Sequence, residues 1–323
     1  MKKISLILLS FIINQSLHAL VFDLPSAGQD LVGQIQVIIT KQKGTLSDLG
    51  MIYDVGRDPI KTVNPLFKPD QILPIGVPVV IPSRFILPNY PRHGIIVNLS
   101  AMRLYYYPPG QHKVMIYPIG IGRAGHMTPL GKTYVTYKLK DPPWIPPQSI
   151  RDFNKKRGII LPRVIRGGPD NPLGKRAIYL KIPEYLIHAS NFPQSIGSRG
   201  SFGCMRMMEW DIEQMFPYVA KHTPVMIIEQ PYLAGWSNGQ LYLEIHKPLA
   251  ENQFKFARNL LPVLKTLLRL SFRHHVAIDW HKVTLAMQNM SGMPTVISDT
   301  DVQSSFLQLA KAPLRLPVMK DLA

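Results

Sequence analysis

Ser201-Phe202-Gly203-Cys204-Met205-Arg206 holds the only cysteine of the chain, and sixteen residues upstream His188 stands in Tyr185-Leu186-Ile187-His188-Ala189-Ser190-Asn191. Thiol chemistry runs through the thiolate, and a free cysteine with a pKa of about 8.5 is mostly protonated at neutral pH. A nucleophilic Cys204 therefore needs a base or a cation beside it, and His188 and Arg206 are the local candidates. Gly203 leaves room next to the nucleophile for a carbonyl oxygen to approach the amides of Gly203 and Cys204, which is the outline of an acyl-transfer site. Taken alone, a cysteine beside Phe202 and Met205 is more often a small buried hydrophobe than a catalyst. The surroundings have to decide.

Export is the first of those surroundings. Met1-Lys2-Lys3 is basic, Ile4 to Ile13 is an apolar run broken only by serines, and Ser16-Leu17-His18-Ala19 ends on a small residue. This predicts a secretory signal peptide over 1–19. No later segment has the roughly 18 uninterrupted apolar residues of a membrane span. Exported chains ordinarily pair their cysteines, so a single exported thiol is either well buried or kept for its reactivity. The formal charge of +17 favours anionic partners. An exported chain with no nucleic-acid module and no dense basic helix suits acidic wall polymer or anionic lipid better than nucleic acid.

Residues 34–83 read as a small unit. Val37-Ile38-Ile39 is strand-like, Thr45 is placed to cap a helix carrying Leu46, Leu49, Ile52 and Tyr53, and Gly56 stops it. Pro59 to Asn64 starts a second short helix, and Gly76 to Pro82 closes as a turn and strand. The Thr45-Leu46 start, Tyr53-Asp54-Val55, Asn64-Pro65 and that close resemble a LysM module, a βααβ fold that binds N-acetylglucosamine-containing glycans. The block 93–230 is β-dominated: Gly94 to Leu99 and Arg103 to Tyr107 form a hairpin, and strands follow at Lys113 to Gly120, Tyr134 to Leu139, Ala177 to Leu180 and Tyr185 to His188. Residues 141 to 175, rich in Pro and Gly, are too long for a mere connection and predict a functional loop with short elements of its own. A helix from Glu209 to Tyr218 presents Ile212, Met215 and Phe216 on one face, and Thr223 to Glu229 is the closing strand. Gly120-Ile121-Gly122-Arg123-Ala124-Gly125 lacks the spacing and the helix of a dinucleotide site. The remainder, 231–323, predicts a strand at Leu241 to His246 and an α-rich C-terminal extension. Its amphipathic helix, Phe254 to Phe272, is interrupted near Pro262 and either packs on the catalytic block or lies against a partner or a membrane surface. His274-His275 and His281 are accompanied by no thiol and predict no metal site.

Ile187-His188-Ala189-Ser190-Asn191-Phe192-Pro193-Gln194-Ser195-Ile196-Gly197, followed by Ser201 to Met207, resembles the active-site signature of the L,D-transpeptidases, whose catalytic domain is the YkuD type. Tyr117-Pro118-Ile119-Gly120, Thr128-Pro129-Leu130-Gly131 and Gly168 to Gly174 are also similar to that family, and the likeness runs from about residue 32 to 248. The resemblance implies a mainly β, sandwich-like catalytic domain and a periplasmic enzyme of Gram-negative type. It implies a Cys204 thiolate paired with His188 that forms a thioester with a peptidoglycan tetrapeptide stem and releases D-Ala. The stem then passes to an amine, giving 3→3 cross-links or attachment of an outer-membrane lipoprotein, with no ATP, metal or other cofactor. Gly203 and Ser201 fall at the oxyanion loop, and Arg206 and Asn191 are candidates for binding substrate. Two departures stand out: Ala189 replaces the usual glycine, and Phe202 stands where many members carry a second histidine, leaving His188 as the base. The alternatives are an L,D-carboxypeptidase using the same pair, with water as acceptor, and a non-enzymatic peptidoglycan-binding protein.

Overall fold

The computed structural model describes residues 20–299 except 69 and 259, so the predicted signal peptide lies outside the described residues. Strands β1 (Leu20–Asp23), β2 (Leu31–Gly33) and β3 (Gln36–Ile39) come first, followed by helices α1 (Leu46–Ile52) and α2 (Arg57–Val63) and strand β4 (Pro78–Ile81). Thr45 caps α1 as its position predicts: its Oγ1 accepts the Asp48 N–H at 3.2 Å, and its own N–H donates to Asp48 Oδ2 at 2.8 Å. Helix α2 starts at Arg57 rather than at Pro59, because a proline is tolerated throughout the first turn, where N–H groups have no intrahelical acceptor. β3 and β4 pair antiparallel around a core of Leu46, Val55, Ile60, Leu73, Val79 and Ile81.

Strand β5 (Arg84–Ile86) pairs with β2 and leads into the main sheet. That sheet is built from β6 (Gly94–Asn98), β7 (Arg103–Tyr107), β8 (Lys113–Pro118), β10 (Gly131–Lys140), β11 (Arg176–Leu180), β12 (Leu186–His188), β14 (Met205–Arg206) and β15 (Pro224–Ile228), with short β9 (Ile121–Gly122) and β13 (Arg199–Ser201) paired beside it. With β1 it is nine-stranded, in the order β1-β8-β7-β6-β15-β10-β11-β12-β14. The period-two pattern of β7 decides its two faces: Leu104 and Tyr106 enter the core shared with α4 (Glu209–Met215), and Tyr105 and Tyr107 enter the core under β2 and β5. The fold is mostly β with several helices. Helix α3 (Gln148–Lys155) lies inside the Pro/Gly-rich segment, where the sequence predicts short elements without locating one.

The C-terminal part holds a hairpin of β16 (Tyr232–Ser237) and β17 (Gln240–Ile245), then α5 (Gln253–Arg258), α6 (Leu261–His274), β18 (Ala277–Ile278), α7 (Trp280–Asn289), β19 (Thr295–Val296) and β20 (Ser298–Asp299). The helical stretch is interrupted near Pro262 as predicted, α5 ending at Arg258 and α6 starting at Leu261. The first hairpin strand escapes sequence reading because Gly235 interrupts it, and that glycine is needed: a Cβ there would lie 2.8 Å from both Asp30 and Ile86 side chains. No helix among the described residues is long and apolar enough to cross a membrane.

The strand–helix–helix–strand unit is docked, not free. Two N–H groups of the first turn of α2 find acceptors on the loop between His188 and Cys204: Arg57 donates to Ile196 O at 3.2 Å and Asp58 to Gly197 O at 3.0 Å. Gly197 has φ 74°, and a Cβ on it would sit 2.4 Å from the Arg57 nitrogen, so this approach requires glycine. Beside it, Trp210 Nε1–H donates to Asp54 Oδ1 at 3.3 Å, and the buried Asp211 carboxyl faces Asp54 through a side-chain hydrogen bond that needs a proton on one of the two. Burial, then the Asp54 charge, raises the Asp211 pKa well above the ordinary carboxylate value. A carboxyl raised in the folded state favours folding at low pH, and that contribution is lost as pH rises from the unfolded value of about 3.9 towards the folded one. Asp211→Asn should therefore raise Tm relative to the parent chain, by the equivalent of about 1–3 kcal/mol and more at pH 8 than at pH 5. Thermal melts at the two pH values check this, and an equal or smaller gain at pH 8 would contradict it.

Candidate active site

Strands β12 and β14 run parallel and in register, Ile187 against Met205 and His188 against Arg206. Alternation sends Ile187 and Met205 into the core, both fully buried, and leaves His188 and Arg206, with Cys204 one period before Arg206, on the opposite face. The sixteen-residue separation of His188 and Cys204 in sequence thus becomes adjacency.

The turn before the nucleophile is tied by hydroxyls. Ser201 Oγ accepts the Gly203 N–H at 3.0 Å and donates to Cys204 O at 2.6 Å. Buried Thr128 donates its Oγ1–H to Gly203 O at 2.7 Å and accepts the Gly122 N–H at 3.3 Å. With the Gly203 carbonyl held by Thr128, the trans peptide turns the Cys204 N–H the other way, and this N–H has no partner among the described residues. The oxyanion donor expected from both amides is therefore reduced to that of Cys204, since the Gly203 N–H is already used by Ser201. Gly203 has φ 113°, and a Cβ there would lie 2.6 Å from Tyr185 Cε1. The glycine is required by its own backbone angle and by the Tyr185 ring, a different reason from the open approach read from the sequence.

His188 is buried, and its Nδ1 contacts Ala189 O at 2.5 Å. A carbonyl only accepts, so Nδ1 carries the proton and Nε2 the lone pair. Burial, then the charge of Arg206, hold the His188 pKa down to about 3. Burial pushes the half-buried Cys204 thiol up, against the Leu186 N–H and Arg206, which lower it. The resting pair is a neutral imidazole and a protonated thiol, and the thiolate expected from the resemblance is not preformed. The Sγ–H donates to Glu184 O at 3.4 Å, and no hydrogen bond joins it to the imidazole. Arg206 lies half-buried without an ion pair among the described residues. Ala189 is buried and has no positive φ, so the exchange for glycine leaves its turn unstrained.

Around this centre lie further residues, and sequence reading missed Arg123, Phe153, Arg199 and Glu251 among them. Phe202 meets the rings of His126 at 4.6 Å and Phe153 of α3 at 5.2 Å, and the Arg123 guanidinium lies 4.0 Å from the Phe202 centroid and 4.3 Å from that of Phe153. The second-histidine position is thus used to pin α3 over the loop. Arg199 makes a bidentate pair with Glu251, at 2.9 and 2.7 Å, and its Nε–H donates to Gly122 O at 3.1 Å. Asn191 is exposed and donates to Pro169 O at 3.1 Å. It ties two loops together and makes no contact with Cys204. Buried Asn171 gathers the carbonyls of Pro142, Ile165 and Arg166 at 2.8 to 3.2 Å, closing the base of the long loop. Among the described residues no three His, Cys, Asp or Glu side chains could hold a metal, and His274 stacks on Trp236 at 4.0 Å.

Two family models match the chain: an L,D-transpeptidase catalytic domain over residues 92–227 and an L,D-transpeptidase C-terminal domain over residues 234–297. The chain is 37% identical to the probable L,D-transpeptidase YcfS of Escherichia coli (strain K12), over 84% of this chain and 86% of that protein. It is 38% identical to the probable L,D-transpeptidase ErfK/SrfK of the same strain, over 87% of this chain and 91% of that one. The NMR structure of the catalytic domain from the E. faecium L,D-transpeptidase aligns with a TM-score of 0.34 at 23% identity, covering 44% of this chain and 100% of that one. The C-terminal match carries the likeness past residue 248, where the sequence motifs run out.

Gly203→Ala tests the turn. Displacing Tyr185 or the peptide by about 1 Å should slow acylation of Cys204 by a carbapenem by roughly 10²-fold, and the strained φ should lower Tm by the equivalent of about 1–3 kcal/mol. Mass-spectrometric acylation rates measure this, and an unchanged rate would show that the turn tolerates a Cβ.

Proposed function

The chain belongs to the L,D-transpeptidases, and from that premise we propose that it is a periplasmic cysteine acyltransferase in which Cys204 carries a peptidoglycan stem as a thioester. The observation that supports this most is the placing of a lone thiol, an imidazole with one fixed N–H and an arginine without an acid on one face of two paired strands. The Sγ–H leaves the Glu184 carbonyl and passes its proton to His188 Nε2 as sulfur attacks the carbonyl carbon at the L-centre of diaminopimelate. The oxyanion forms against the Cys204 N–H. His188 then protonates the departing amine of D-Ala, the C–N bond breaks and the thioester remains. An acceptor amine, from a second diaminopimelate or from a lipoprotein lysine, attacks this thioester and loses its proton to His188, and the thiolate leaves and is reprotonated. Arg206 steadies the thiolate and takes a substrate carboxylate. Residues 34–83 bind the glycan strand, a role that the strand–helix–helix–strand order supports. The leader over 1–19 directs export.

Incubating isolated cell walls with the protein and digesting them separates the outcomes. Free D-Ala with 3→3 cross-linked or lipoprotein-bearing fragments supports transfer, and the fragment found identifies the acceptor. Tripeptides alone, without adducts, would reject transfer in favour of an L,D-carboxypeptidase. Wall chemistry and carbapenem acylation both unaltered in Cys204→Ala would leave only a glycan-binding protein.

A second expectation follows from His188. With its pKa held down to about 3, the base stays neutral across the pH range in which an ordinary imidazole near 6.5 would be titrated. Acylation by a carbapenem should show no acid limb between pH 8 and pH 5. Single-turnover rates across this range check it, and a limb centred near 6.5 would mean that His188 titrates normally.

A further inference from the structure

Helix α6 has one face too many. Leu267 and Leu270 pack inward with Leu241, Leu243, Val283 and Ile297. On the opposite side Leu261, Lys265, Leu268 and Phe272 recur at steps of four, three and four, which aligns them in one stripe. The three apolar members are 55%, 55% and 83% exposed. Arg269 and Arg273 each follow a member of that stripe, so they lie along its flank, and with Arg92, Tyr90 and Thr266 they line a groove of about 190 Å³. The one acid lining this groove is Asp30, and it is paired to Arg92 at 3.0 Å. Arg269 and Arg273 make no ion pair among the described residues. From Phe254 to Ile278 the sequence has no Asp or Glu at all.

We propose that this face of α6 docks on an anionic phospholipid surface, Leu261, Leu268 and Phe272 entering the headgroup boundary while Arg269 and Arg273 meet lipid phosphates. An interfacial helix needs an apolar stripe bordered by cations, and the guanidinium matches phosphate geometry through paired N–H groups. A second copy of the chain fits poorly: across a two-fold contact the Lys265, Arg269 and Arg273 of one copy would confront the same cations of the other. The negative surface supplies the counter-charge that the surrounding sequence withholds. This docking is independent of the chemistry at Cys204.

The test uses the chain purified after export, with vesicles of phosphatidylglycerol and phosphatidylethanolamine compared with phosphatidylcholine alone. The chain should sediment with the anionic vesicles and stay in solution with the neutral ones. Arg269→Gln with Arg273→Gln should weaken partitioning ~30-fold, which corresponds to two charges at about 1 kcal/mol each, and Leu268→Gln with Phe272→Gln should abolish it. Tm and carbapenem acylation should hold in both double variants. Should one fail to fold, the single change Phe272→Ser, at the most exposed position, replaces it. No partitioning, or partitioning unchanged by both pairs, would overturn the proposal. So would a dimer in solution that dissociates in Leu268→Gln with Phe272→Gln, because the face would then belong to a second copy.

Discussion

Two steps of parallel pairing, Ile187 on Met205 and His188 on Arg206, hold everything else at the site in place. Because side chains alternate along a strand, a slip of one residue would turn Ile187 and Met205 out of the core and carry His188 and the nucleophile into it. Both apolar residues are fully buried, and each is worth about 1.5–3 kcal/mol when removed from water. The register is therefore set by the two residues that do no chemistry. The catalytic face is what remains once the core has taken its share of the strand.

Parallel strands need a crossover, and here it is a loop with only the short strand β13 and one 3-10 turn rather than an α-helix, so much of its order has to come from outside. Each neighbouring part of the chain contributes. The first turn of α2 offers its N–H groups to Ile196 and Gly197, Arg199 grips Glu251 beyond the hairpin, and Thr128 fixes the Gly203 carbonyl. Arg123, stacked between Phe153 and Phe202, sets α3 on the same loop. The flanking N-terminal and C-terminal parts thus do more than extend the enzyme. They supply the anchors that let a loop of this length hold a nucleophile still.

What the sequence made legible follows from how local each signal is. The Thr45 cap, the β6–β7 hairpin, the break near Pro262 and the face of α4 rest on neighbours within a few residues, and all are found. The Cys204 and His188 pair was legible through a short motif, with Ser201 and Gly203 beside it. Less legible were contacts between distant segments. Thr128 sat in a stretch that resembled the family but was given no role, and Arg199 carried no mark of its partner more than fifty residues on. The use of the Gly203 N–H by Ser201 and the Tyr185 ring over Gly203 are decided by backbone angles that residue order does not reveal.

The protonation of the resting pair suits the export proposed for this chain. A preformed thiolate exposed to an oxidising medium is the species that oxidises, and this chain has no second cysteine to rescue it. Burial raises the thiol and lowers the imidazole, so both stay neutral until a substrate arrives. The groups that favour the anion, Arg206 and the Leu186 N–H, are in place but outweighed by desolvation. In the proposed reaction, a substrate whose carbonyl accepts the sulfur's electrons, and whose carboxylate engages Arg206, changes that balance only while it is bound. Reactivity then depends on occupancy of the site, which is how a lone thiol can remain both intact and nucleophilic.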